Sequence, residues 1–130
     1  VIGSIEKGWL VLLGVVQSDA KDDADWICEK ICNLRAFEDS DKKMNLSVKD
    51  VGGAILLVSQ FTLAGNCKKG RRPSFAEAAE PKVAESLYNY VVLKLREKYI
   101  LPVETGKFGA NMQVKLLNDG PVTFLLDSKE

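Results

Sequence analysis

Ala54-Ile55-Leu56-Leu57-Val58-Ser59-Gln60-Phe61-Thr62 is an apolar run that ends on hydroxyls and an amide. Its length and aliphatic content predict a core strand over 54–58 that delivers Ser59 to Leu63 into a loop. Upstream, Trp9 to Val16 is a second continuous apolar run, expected as a strand buried on both faces, and Val1 to Ile5 also reads as a strand. Glu6-Lys7-Gly8 between those two runs predicts a tight hairpin with glycine at the turn. Ala24, Ile27, Ile31 and Leu34 recur at helical spacing, with Asp22, Asp23 and Asp25 in the first turn, where the helix dipole favours acid.

Downstream, Ser74 with Glu77 has the pattern of a capping box for a short helical turn. Pro81 then opens a longer helix whose buried stripe is Val83, Leu87, Val91 and Leu95. Val103 to Thr105 is extended, Gly106 to Gly109 is a loop, and 112–117 with 122–127 form a closing hairpin around the turn at Asp119-Gly120-Pro121. Phe37 to Asp50 reads as a polar connector. Strands alternating with helices in 130 residues predict one α/β domain spanning 1–130.

The chain has no histidine, which removes Ser–His–Asp and Cys–His chemistry. Lys plus Arg (18) equals Asp plus Glu (18), so any polyanion contact must come from a local cluster. Cys28, Cys32 and Cys67 are odd in number without CxxC spacing, against a disulfide framework and a zinc site; Cys28 and Cys32, four apart on one helical face, read as buried thiols. No metal and no cofactor is expected. Asp39-Ser40-Asp41 begins like a calcium loop, but Met44 stands where glycine is required and Asp50 where a bidentate Glu belongs. With no span and no leader, the expectation is a soluble cytoplasmic protein without membrane contact.

Gly65-Asn66-Cys67-Lys68-Lys69-Gly70-Arg71-Arg72 has the glycine spacing of a phosphate loop but arginines in place of the Lys and hydroxyl residue that serve nucleotide hydrolysis. Lys68, Lys69, Arg71 and Arg72 read either as a solvated loop or as a grip for the phosphates of a folded RNA. Ser59-Gln60-Phe61-Thr62 is either an ordinary strand end or a place where backbone N–H groups and hydroxyls meet a ligand, and Gly120-Pro121 is either a simple turn or a functional one.

Taken in order, Leu12-Leu13-Gly14-Val15, Asn33-Leu34-Arg35, Val58-Ser59-Gln60-Phe61-Thr62-Leu63, Lys68-Lys69-Gly70-Arg71-Arg72-Pro73-Ser74-Phe75, Gly106-Lys107-Phe108-Gly109-Ala110 with Met112, and Asn118-Asp119-Gly120-Pro121-Val122-Thr123 resemble the D-aminoacyl-tRNA deacylase family over nearly the whole chain. The resemblance implies a three-layer (β/β/α) domain of mixed sheets with two main helices, a homodimer with active sites at its interface, and no DNA contact. It implies hydrolysis of the ester joining a D-amino acid, or glycine, to the terminal adenosine of tRNA. Catalysis then falls to Ser59, Gln60, Phe61 and Thr62, and rejection of L-amino acids to a cis Gly120-Pro121 turn reaching into the partner's site. Phe108, Gly109, Ala110, Met112, Asn118 and Thr123 would contact substrate, with core packing a competing role for Met112, and Lys68, Lys69, Arg71 and Arg72 would hold tRNA. Family members begin with a further strand containing Gln-Arg-Val, so an incomplete sheet is expected here.

The implied chemistry suits a chain without imidazole. An aminoacyl ester is already activated, and backbone N–H groups of Phe61 and Thr62 would stabilise its oxyanion. A neighbouring ribose hydroxyl of the substrate supplies a route that needs no side-chain base, whereas nothing in the sequence would deprotonate Thr62 as a nucleophile. The competing expectations are a non-catalytic RNA-binding module and a small-molecule-binding dimer on the same scaffold.

Overall fold

In the computed structural model, which describes residues 1–129, the run at 54–59 is the middle strand of a parallel sheet. β1 (Gly8–Leu13) and β5 (Val103–Thr105) flank β4 (Ala54–Ser59) in the order β1-β4-β5. Parallel neighbours need long crossovers. α1 (Lys21–Asn33) lies between β1 and β4 in the chain, and α2 (Pro81–Glu97) lies between β4 and β5. Leu13 pairs with Ser59 and Leu57 with Thr105, so all three strands finish at the same end of the sheet.

Strand periodicity decides which face is covered. Trp9, Val11, Leu13, Ile55, Leu57 and Val103 join one core with Cys28, Ile31 and Cys32 of α1 and Tyr88, Val91 and Leu95 of α2. Ile55, Leu57 and Leu95 are fully buried, and the Tyr88 hydroxyl donates to the Leu57 carbonyl at 2.7 Å. Cys28 and Cys32 are buried as expected, and burial pushes the Cys28 thiol up to about 11. That thiol is uncharged at neutral pH. No helix among the described residues is long and apolar enough to cross a membrane.

Several local expectations give way to longer-range contacts. Val1 to Ile5 is not a strand: it passes beside β5 closely enough that a Cβ on Gly3 would meet the Thr105 carbonyl oxygen at 2.5 Å, yet it forms no ladder. Glu6-Lys7-Gly8 is no hairpin either, because β1 pairs in parallel with β4. β1 stops at Leu13 and is not buried on both faces, with Leu12 43% exposed. Asp25 falls beyond the first turn of α1, which holds Asp22 and Asp23. The segment beginning at Phe37 is more than a connector: β2 (Phe37–Glu38) pairs antiparallel with β3 (Met44–Leu46). The Asp39 carboxylate accepts the Asp41 and Lys43 amides at 2.8 and 3.1 Å and closes that hairpin, a use of its oxygens for turn formation.

Ser74 to Ala78 is a turn between two isolated bridges rather than a capped helical turn. The buried side of α2 centres on Tyr88, Val91, Val92 and Leu95, and Val83 is exposed. Residues 112–117 and 122–127 run without a strand ladder. Their outward apolar residues show why: Leu117 is 91% and Leu125 85% exposed, so the alternation has no neighbouring layer to bury it.

Side chains tie this C-terminal segment to the domain. Phe124 meets Trp9 edge-on at 6.4 Å, and Lys129 pairs with Asp23 at 2.9 Å and Asp19 at 3.3 Å. Hydrogen bonds from Lys129, the Ala20 amide and Ser128 hold the Asp23 carboxyl at about 2, down from 3.8. A carboxyl depressed on folding stabilises the native state above its unfolded value and loses that contribution as pH falls through its folded value. Asp23→Asn should therefore lower the urea midpoint at neutral pH, with the gap to the parent closing as pH drops from 3.8 towards about 2. A gap that stays constant across that interval would show that the ion cluster contributes nothing through charge.

Candidate active site at the carboxyl ends of the strands

Parallel strands present their carboxyl ends as a natural ligand shelf, because the chain must turn there and expose backbone groups. The Ser59-Gln60-Phe61-Thr62 segment occupies that position in the middle strand. The Gln60 amide donates to the Leu13 carbonyl at 2.8 Å, so the segment leaves β4 pinned to the end of β1. It then winds into a single 3-10 turn, Phe61–Ala64, closed by Leu63 N–H to Gln60 carbonyl at 3.2 Å and Gly65 N–H to Thr62 carbonyl at 3.0 Å. The first amides of a helical turn have no partner within it. Accordingly the Phe61 and Thr62 N–H groups donate to none of the described residues, and both residues are exposed. The Gln60 side-chain amide donates to the Thr62 hydroxyl, which fixes the Thr62 rotamer.

Close packing holds this turn. A Cβ on Gly14 would meet the Leu63 Cβ at 2.9 Å and the Gln60 carbonyl oxygen at 3.2 Å, so the residue after β1 must be small. Phe61 contacts Phe75 with ring centroids 5.1 Å apart. Neither Gly14 nor Phe75 stood among the sequence candidates. An aromatic residue just past a basic loop was the available signal for Phe75; for Gly14 it was only its place in the Leu12-Leu13-Gly14-Val15 motif, because its close neighbours Gln60 and Leu63 come from the distant turn after β4.

Gly106 to Ala110 leaves β5 at the same end. The Gly106 amide donates to the Leu57 carbonyl at 3.3 Å, and a Cβ on Gly106 would meet the Met112 sulfur at 2.6 Å. The Lys107 amide approaches that sulfur at 3.3 Å. Met112 thus lies over the Gly106 backbone, partly buried. Phe108 packs on Tyr88 at 5.7 Å against the core, whereas Gly109 is exposed with φ +76. Ala110 is half-buried and donates its amide to the Lys107 carbonyl at 3.1 Å.

Lys68, Lys69, Arg71 and Arg72 crown a hairpin-like loop whose base is the Asn66–Ser74 pair, at 2.7 and 2.8 Å. All four are exposed and make no ion pair among the described residues. The loop starts directly after the Phe61–Ala64 turn, so the four cations follow the Ser59–Thr62 segment within ten residues of chain.

The Asn118–Thr123 turn is bound to itself. Asn118 donates its side-chain amide to the Thr123 hydroxyl at 2.9 Å and accepts the Val122 amide at 3.0 Å. The Gly120-Pro121 peptide is cis, Gly120 has φ +131, and both residues are exposed. No hydrogen bond joins this turn to Ser59–Thr62 among the described residues. Neither of two shallow grooves, one of about 390 Å³ between the starts of α1 and α2 and one of about 270 Å³ along α2, touches the strand ends. No cluster of three or more His, Cys, Asp or Glu side chains suited to a metal occurs among the described residues.

Residues 1–127 match the family model described as D-Tyr-tRNA(Tyr) deacylase. A D-aminoacyl-tRNA deacylase of Thermosipho melanesiensis is 57% identical over 130 residues, covering 100% of this chain and 87% of that protein. One of Koribacter versatilis is 59% identical over 130 residues with the same coverage, 100% and 87%. A solved structure described as c-Myc DNA Unwinding Element Binding Protein superposes with TM-score 0.88 at 44% identity, over 95% of this chain and 83% of that one. A probable eukaryotic D-amino acid tRNA deacylase superposes at TM-score 0.63 and 17% identity, over 78% and 75%, a likeness of fold alone.

Proposed function

The chain belongs to the D-Tyr-tRNA(Tyr) deacylase family, and on that premise we propose that it hydrolyses the ester of D-aminoacyl-tRNA, and of mischarged glycyl-tRNA, releasing amino acid and tRNA. The observation that carries this reading is the pair of undonated amides at Phe61 and Thr62, presented on an exposed shelf where three parallel strands end. Ester cleavage puts negative charge on the carbonyl oxygen, and fixed N–H donors stabilise that charge without any ionisable side chain. The chain, lacking histidine, needs such a route. Water attack is assisted by the substrate's own ribose hydroxyl, and Thr62 acts through its backbone.

Two subunits complete the site. Gly120 and Pro121 of one protomer enter the other's shelf, where their carbonyls bind the substrate amino group and leave no volume for an L side chain. In support, neither carbonyl accepts a hydrogen bond from the described residues, and both residues are exposed. Glycine has no side chain to be excluded, so its ester passes the same filter. Met112, Phe108, Gly109 and Ala110 line the adenosine end, Asn118 and Thr123 brace the turn, and Lys68, Lys69, Arg71 and Arg72 grip the tRNA backbone. A cytoplasmic location is part of the same proposal, since the proposed substrate is consumed where translation takes place.

The name of the relative at 44% identity favours a second reading, in which the basic loop grips DNA. Phosphate contacts by flexible lysines and arginines do not by themselves tell RNA from DNA. The deciding experiment is turnover of matched D- and L-aminoacyl-tRNA by the purified dimer. Hydrolysis of the D ester with the L ester spared is expected, and no hydrolysis of either would overturn the enzymatic reading. Replacing Arg71 and Arg72 together by alanine should raise KM about tenfold and flatten its salt dependence, since fewer counterions are then released, with kcat nearly unchanged. A loss confined to kcat would move those residues from binding into the chemistry.

A further inference from the structure

The Phe61 and Phe75 rings carry no role in the chemistry above, although both face solvent. Phe61 is 62% and Phe75 38% exposed, their centroids lie 5.1 Å apart, and their planes are tilted by 58°. An exposed aromatic pair loses hydrophobic stabilisation and calls for an occupant. Its neighbours say which kind. Phe75 follows Ser74, at the base of the loop that carries Lys68, Lys69, Arg71 and Arg72. Phe61 carries one of the two exposed amides and is bonded to Thr62, which carries the other, while Phe75 lies three residues from Arg72, so the ring pair links the amide segment to the basic loop. Phe75 packs over the Gly65 backbone, where a Cβ would meet its ring at 3.0 Å.

We propose that the Phe61 and Phe75 rings form a stacking shelf for an unpaired nucleobase of the single-stranded 3′ end of tRNA, one of the two nucleotides that precede the terminal adenosine. The inference rests on the deacylase reading and adds a subsite to it. Aromatic faces beside a cationic track are the elements by which proteins hold single-stranded nucleic acid, the charges following phosphates and the rings accepting bases. A second copy of this chain is the weaker occupant. A two-fold contact centred on the rings would bring two copies of the cationic loop face to face, and like charges there repel.

The test is a cycle between ring and base. D-aminoacyl-tRNA is prepared intact and with an abasic site at each of the two nucleotides before the terminal adenosine in turn. For the parent protein, one abasic substitution should raise KM about tenfold, the scale of one base–aromatic stack. In Phe75→Leu, which keeps an apolar side chain but loses the π face, the same substitution should change KM less than about twofold. Phe75→Tyr should restore the parent's penalty, which a purely structural role for the ring would not require. Parent turnover that is indifferent to both abasic sites overturns the shelf while leaving the deacylase reading intact. Failure to cleave intact D-aminoacyl-tRNA sinks that reading instead. Conversion of Phe75→Leu to a monomer in light scattering would assign the rings to a subunit contact and overturn the proposal.

Discussion

Gly120→Ala should cut kcat/KM for D-aminoacyl-tRNA by about a hundredfold while the protein stays folded and keeps the parent's mass in solution. The reason is geometric. Gly120 sits at φ +131, a conformation essentially closed to residues with a side chain, and a Cβ there would lie 2.6 Å from Val122 Cγ2 and 3.1 Å from the Val122 amide nitrogen. The turn must therefore reshape, and its two carbonyls must move. In the proposed mechanism they hold the substrate amino group, and a displacement of about 1 Å at a positioning contact is enough for a loss near that size. Stability should change little, because the turn is exposed and its hydrogen bonds run among Asn118, Val122 and Thr123. The rejection of the L ester should weaken at the same time, since the excluded volume moves with the carbonyls. Parent-like turnover of the D ester and parent-like sparing of the L ester, in a folded variant of the parent's solution mass, would reduce Gly120-Pro121 to a simple turn.

The absence of any hydrogen bond between the turn and the Ser59–Thr62 shelf among the described residues bears on how much of the site could be read in advance. Ser59–Thr62, the basic loop and the Gly-Pro turn are contiguous segments with their own local chemistry, and each takes the local form its residues call for. α1 and α2 follow from side chains repeating at helical period, β4 from an apolar run ended by polar residues, and β5 from the extended segment that follows Pro102. Relations between distant segments carry no such mark. The partner of a parallel strand lies a whole crossover away, so Glu6-Lys7-Gly8 before Trp9 reads as a hairpin when its glycine serves another strand. Alternation in 112–117 and 122–127 marks a potential for pairing, and a ladder forms only where a neighbour offers its edge. β2 spans only Phe37–Glu38, too short to carry a period. Phe75 escaped because its value depends on Phe61 across the loop.

Gly8 gives the second large effect. It pairs with Ala54 at the start of the β1–β4 ladder, where a Cβ would fall 1.8 Å from the Ala54 carbonyl oxygen and 2.7 Å from the Ala54 nitrogen. These are backbone atoms of the central strand, which cannot swing aside as a side chain would. Gly53 meets it from the other direction, since a Cβ there would approach the Gly8 Cα at 3.2 Å. Gly8→Ala must then open the first rungs of the sheet or force the residue off φ +153. Backbone strain of this kind costs about 1–3 kcal/mol before any lost packing is counted, and Trp9, Val11 and Ile55 lie directly behind the opened rungs. A total near 3 kcal/mol would lower Tm by on the order of 10 °C. Gly52→Ala is the matched control: φ is +66, but nothing lies within 4 Å of the added methyl, so only the conformational penalty of about 1 kcal/mol applies. If close approach of the two strands is what selects glycine at position 8, Gly8→Ala unfolds well below Gly52→Ala in parallel thermal scans. Equal losses from the two variants would mean that positive φ alone accounts for Gly8, and that the β1–β4 ladder has room to yield where its backbones meet.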